Sequence, residues 1–168
     1  MPEPAQRLDE ALATMRWHEV PGRFAIVGIE GPPDLEDLGA LAKPAQLIVE
    51  DDETTLLVHE DRLAHLLERH PDAKVELDLT WFTFETPMDW EVVGFLAHVT
   101  RALAEEGVSL GAVCGYSRDH VFVHARHRET TRRILGGMFP EGVAPQRQPD
   151  ADQRPGSPSV QLSQGATK

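Results

Sequence analysis

The stretch Asp78–Val123, DLTWFTFETPMDWEVVGFLAHVTRALAEEGVSLGAVCGYSRDHVFV, decides the fold. It reads as strand, long helix, strand, tight turn, strand. Val75, Leu77, Leu79 and Trp81 alternate with Glu76, Asp78 and Thr80, as a half-exposed strand should. Phe82 and Phe84 then put aromatics on the second face, so the strand ends covered on both sides, by another element or another subunit. Thr86 as N-cap, Pro87 at the first helical position and Asp89 near the positive end predict a helix that runs to Glu106. Val92, Leu96, Val99 and Leu103 form its buried stripe, and Gly107 its stop. Gly94 inside that helix implies a neighbour that approaches the backbone closely. Val108–Ser117 is the next strand, with one small face of Ser109, Gly111, Val113, Gly115 and Ser117. Ser117-Arg118-Asp119 turns into the return strand His120–Val123.

Outward from this stretch, Leu8, Leu12 and Met15 mark a short leading helix, and Trp17–Gly22 a connector or a short strand. Phe24–Ile29 is apolar on both faces, as in a central strand. Leu35, Leu38 and Leu41 mark a short helix, and Leu47–Glu50 with Thr54–His59 a hairpin around Asp51-Asp52-Glu53. Asp61–His70 is a short amphipathic helix, stopped by Pro71. Arg126–Leu135 is a last, weak helix ended by Gly136-Gly137. From Pro140 the chain is rich in Pro, Gln, Ser and Gly, which predicts disorder.

The order strand, helix, hairpin, helix thus occurs twice, and the second copy has no final strand of its own. A four-stranded α+β sheet would need one borrowed from the first copy. The expectation is two interleaved units rather than two beads, with antiparallel strands and helices on one face. The boundaries are 1–21 for helix and connector, 22–74 for the first unit, 75–136 for the second and 137–168 for the tail.

The 168 residues carry a net charge of −12 and 40% hydrophobic residues. In the tail Glu141, Asp150 and Asp152 cancel Arg147, Arg154 and Lys168, so the excess sits on the folded part. Such a surface repels phosphate backbones and anionic lipid, which argues against nucleic-acid and membrane partners. The lone Cys114 forbids an internal disulfide, no signal-like segment opens the chain, and cytoplasmic residence is the default. No cofactor is called for. His120, His124 and His127 invite a zinc reading, but strand and helix would have to converge, and solvated histidines are the better account. Cys114 with His120 and Asp119 suggests nucleophilic catalysis only by composition, because a cysteine midway along an apolar strand face is usually core. The sequence therefore reads as a binding protein and not an enzyme.

Residues 84–123, with Gly94, the helix end LAEEGVSL and the strand-turn-strand ending YSRDHVFV, resemble the ACT domain, a ferredoxin-like βαββαβ regulatory module that binds amino acids; the match spans Leu77 to Leu135, and Gly22 to Glu60 matches more loosely. Within it they resemble small bacterial two-ACT proteins, which are similar to the C-terminal part of the cytosolic arginine sensor (CASTOR) family. In those sensors the amino acid lies where two ACT units meet. The resemblance implies Val93, Gly94, Tyr116 and Asp119 as contacts, and a homodimer to complete the pocket.

Elementary chemistry agrees. The predicted helix start at Pro87–Trp90 would offer free N–H groups to a carboxylate, and Asp119, Asp89 or Glu85 would hold an ammonium. With their neighbours in the two junctions, the candidate ligand-binding set is Met88, Asp89, Val93, Gly94, Cys114, Gly115, Tyr116, Ser117 and Asp119. Each has a plainer account. Asp119 caps its turn, Gly94 serves packing, Tyr116 is core edge, and Asp89 is a helix-start charge. Trp81 and Trp90 read as interface residues, and the aromatic face of Phe82 and Phe84 motivates a second reading, a protein-interaction module without ligand.

Overall fold

In a computed structural model, residues 4–39, 41, 44–87 and 90–140 are described. The elements are α1 (Pro4–Thr14), β1 (Trp17–Glu30), α2 (Leu35–Gly39), β2 (Gln46–Val49), β3 (Glu53–His59), α3 (Leu63–Arg69), β4 (Lys74–Phe84), α4 (Phe95–Glu105), β5 (Leu110–Cys114), β6 (Asp119–His124) and α5 (Arg128–Met138). The strands form one six-stranded sheet in the order β2-β3-β1-β4-β6-β5, every neighbouring pair antiparallel.

That order contains two ferredoxin-like units. The first is β1, β2, β3 with β4 as its fourth strand; the second is β4, β5, β6 with β1 as its fourth. Each unit's first strand is the other's last, so the borrowed strand is β1, and one sheet runs through both units. The α+β, ferredoxin-like fold follows from this order.

The helices cover one face. Met15, Trp17, Phe82, Phe84, Phe95, Val99, Leu103, Val121, Val123, Leu135 and Phe139 form one cluster beneath α1, α4 and α5. Ala25, Val27, Ile29, Leu56 and Val58 receive Leu66 of α3. A third cluster, Val20, Phe24, Leu57, Leu79, Trp81 and Phe122, contains no helical residue and lies on the opposite face. Alternation along β6 shows the division, because Val121 and Val123 face the helices and Phe122 faces away.

Several expectations change here. Of the two readings of Trp17–Gly22 the strand holds, and it is not short: the segment begins a 14-residue β1. Val20 pairs with Trp81 and Phe24 with Leu79, so β1 advances four residues while β4 advances two, and Pro21-Gly22-Arg23 bulges out. A second bulge reverses the faces of β4. Between Leu79 and Glu76 β4 advances three residues against two of β1, and Asp78 adopts φ 60°. Val75 therefore packs toward the helices while Leu79 and Trp81 point the other way. Phe82 and Phe84 are fully buried beneath α4 and α5, so no aromatic face is left there for a partner protein. α5 runs through Gly136-Gly137 to Met138, and Phe139 beyond it is buried. The expected disorder from residue 141 onward lies outside the described residues.

Candidate functional site

The register fixes which loops can meet. Thr83 pairs with His120, Trp17 with Phe84 and Cys114 with Asp119. The segment after β4 and the β5–β6 hairpin therefore leave from the same end of the sheet.

The segment after β4 is not helical. α4 starts at Phe95, and Gly94 is its N-cap with φ 98°, a conformation open to glycine and costly for other residues. Thr86 and Pro87 do not begin the helix, and the Thr86 hydroxyl donates to the Thr14 carbonyl (3.0 Å) instead of capping. The free N–H groups of the helix start are thus those following Gly94, not those of Pro87–Trp90, and Gly94 itself has no side chain to cap them. Val93 and Trp90 precede the helix and are exposed. Met88 and Asp89 lie outside the described residues.

α1 lies against this segment. The Glu85 amide donates to the Arg16 carbonyl (2.8 Å), Arg7 pairs with Glu91, and a Cβ on Gly94 would stand 3.4 Å from Leu8 Cδ2. The close neighbour that the sequence implied for Gly94 is the leading helix. On the other side of the sheet Glu85 Oε1 lies 2.7 Å from Nδ1 of the buried His18.

In the hairpin the Gly115 amide donates to the Arg118 carbonyl (2.7 Å), and Gly115, Tyr116 and Ser117 are exposed. Tyr116 is wholly solvent-exposed and is no core edge. Cys114 is exposed at the end of β5, not core. Desolvation, then the Asp119 carboxylate, push its thiol up, the reverse of an activated nucleophile. Asp119, opposite Cys114, opens β6 and is half-buried.

The histidines diverge. His124 Nε2 lies 3.3 Å from Glu76 Oε1, and His127 accepts from Arg126. His120, expected in solvent, is packed against Trp81 and Thr83. Among the described residues no group of three His, Cys, Asp or Glu is placed to hold a metal ion. The sequence reading missed the polar row His18, Thr83 and His120. Alternation from Trp81 and Phe122 would have placed Thr83 and His120 on one face, but the H-x3-H spacing drew attention elsewhere.

The first unit's counterpart lies at the opposite end of the sheet and is closed on itself. The Asp34 carboxylate accepts from the Glu36 and Asp37 amides (2.8 and 2.9 Å), and Asp37 accepts from the Asp34 amide (3.0 Å). Arg69 of α3 pairs with Asp34, Glu36 and Asp37, and His70 Nε2 lies 2.8 Å from Asp37. Burial alone would raise the Asp37 carboxyl, but bonds from the Asp34 amide, His70 and Arg69 hold it at about 2.

No helix among the described residues is long and apolar enough to cross a membrane. No curated protein matches the sequence. Among solved structures the chain is similar to a protein from Agrobacterium tumefaciens (18% identity, 74% of this chain and 88% of that one, TM-score 0.62). It is also similar to a protein of unknown function and possible transport protein from Vibrio cholerae (22%, 81% and 98%, TM-score 0.62). The ligand-free regulatory subunit of aspartate kinase from Thermus thermophilus is a more distant likeness (15%, 70% and 93%, TM-score 0.51). At these identities the likeness is one of fold. Residues 74–136 match the family model of the ACT domain, and the chain around them has the ferredoxin-like ACT fold.

Proposed function

We propose that the chain is a regulatory module that binds an α-amino acid between the start of α4 and the β5–β6 hairpin, and that it acts as a homodimer without catalytic chemistry. The observation that supports this is that the segment leading into α4 and the Asp119 hairpin leave the same end of the sheet. Free N–H groups suit the α-carboxylate, and the Asp119 carboxylate suits the α-ammonium. Val93, Gly115, Tyr116 and Ser117 flank the two, and a second copy supplies the remaining wall, as the resemblance to the arginine sensors implies. Occupancy at such a junction couples binding to assembly.

Thermal-shift screening of the folded protein against the L-amino acids tests this. At a hundredfold excess over Kd, binding adds about 2.7 kcal/mol, or roughly 5–10 °C in Tm. Asp119→Ala should abolish the shift and leave the unliganded Tm in place. A folded dimer stabilised by none of them sinks the reading.

A second reading, an interaction module without ligand, is favoured by the near-complete exposure of Trp90 (95%) and Tyr116 in these same loops. In that case Asp119→Ala leaves partner binding unchanged.

A further inference from the structure

His120 stands beside the hairpin in a defined protonation state. Its ring meets the Trp81 indole edge-on, with centroids 5.4 Å apart at 88°. Trp81 Nε1 lies 3.1 Å from His120 Nδ1, and Thr83 Oγ1 lies 3.1 Å from the same nitrogen. An indole N–H only donates, so Nδ1 must present its lone pair. The single proton of the neutral ring is then on Nε2. Burial pushes the imidazole down to about 4, against Asp119, which works to raise it; Arg118 and His18, the latter with Glu85 behind it, add to the lowering. The ring is neutral at pH 7.

Nε2 faces the hairpin, because a Cβ on Gly115 would stand 3.7 Å from it. Among the described residues nothing accepts a hydrogen bond from Nε2, and the ring is only partly buried. Alternation places Asp119 toward the helices and His120 on the opposite face, so the two flank the end of the sheet. A ligand seated there meets a carboxylate on one side and a fixed, uncharged donor on the other.

We infer that His120 selects the ligand's side chain: its Nε2–H, oriented by Trp81 and Thr83, donates to a side-chain oxygen of the bound amino acid. This rests on the amino-acid reading of the site. With the α-groups held by the α4 start and Asp119, the third contact accepts acids and amides. A lysine or arginine side chain brings donors to a donor, and a hydrocarbon leaves the N–H unpaired.

Calorimetric titration with L-glutamine, L-glutamate, L-methionine and L-lysine tests it on the full chain and two variants. His120→Gln keeps a donor at the reach of Nε2, and His120→Asn does not. Wild type should bind glutamine or glutamate about 3–10-fold more tightly than methionine, the range of one neutral hydrogen bond. His120→Gln should keep most of that ratio, and His120→Asn should bring it close to one. Binding with a ratio that His120→Asn leaves unchanged, or a preference for lysine, overturns the inference and spares the reading. No binding by any amino acid removes both. Should the variants not fold, the ¹H–¹⁵N spectrum of the wild-type imidazole decides: a proton on Nε2 that shifts on adding glutamine is expected. A proton on Nδ1, or an unmoved signal with glutamine bound, overturns it.

Discussion

The His59 imidazole rests on the backbone of Gly22, at the bulge where β1 outruns β4: a Cβ built on Gly22 would stand 2.1 Å from Nε2 of His59. Gly22 also has φ 116°, where other residues are strained. The two effects act together, so Gly22→Ala should cost roughly 2–4 kcal/mol in urea denaturation. Gly111→Ala, with nothing within 4 Å of its Cβ, should stay within about 0.5 kcal/mol.

Gly94→Ala separates two readings by sign. Inside a helix, as the sequence predicts, alanine would add about 1 kcal/mol of stability. At an N-cap with φ 98° and Leu8 3.4 Å away, it should instead cost about 1–2 kcal/mol. Thermal denaturation monitored by circular dichroism reads the direction.

Phe139 marks the end of the core. Its ring packs 5.9 Å from Phe95 and 6.1 Å from Phe84, and its carbonyl accepts from Trp17 Nε1 (3.2 Å). A chain truncated after residue 136 should lose about 3–5 kcal/mol, as in a Phe→Ala deletion from a core. A chain ending at residue 140 should keep its midpoint in the same titration.

The Asp37 clasp gives the fold an acid limb. Its carboxyl is held at about 2 against an ordinary 3.8, so its stabilisation is complete above pH 4 and fades as pH falls toward 2. Solvent screening leaves on the order of 1 kcal/mol for this effect. Asp37→Asn should destabilise the protein at pH 7 and flatten the stability profile between pH 4 and 2.

Much of this was legible in the residues. The doubled order of elements and the missing last strand called for a borrowed one, and β1 supplies it. The short helices, the β2–β3 hairpin and the stop at Gly107 follow local chemistry that a sequence displays. The bulges at Pro21-Gly22-Arg23 and Asp78 were not legible, because register is decided by the partner strand, which lies far away in sequence. The same holds for the start of α4. Thr86 and Pro87 carry every local mark of a helix cap, but the last carbonyl of α1, at Thr14, takes the Thr86 hydroxyl and the Arg16 carbonyl just after it takes the Glu85 amide. The burial of His120 was not legible because its donors, Trp81 and Thr83, come from the neighbouring strand.

The exchange of central strands reaches beyond folding. A cut between α3 and β4 would leave two pieces of three strands each, and each piece would be missing the edge that closes its own module. Supplied together they have every surface needed to recombine; supplied singly, neither does. A lineage carrying such a chain cannot discard, duplicate or retune one half while the other stays as it was, since any drift in β1 or β4 is answered for in both.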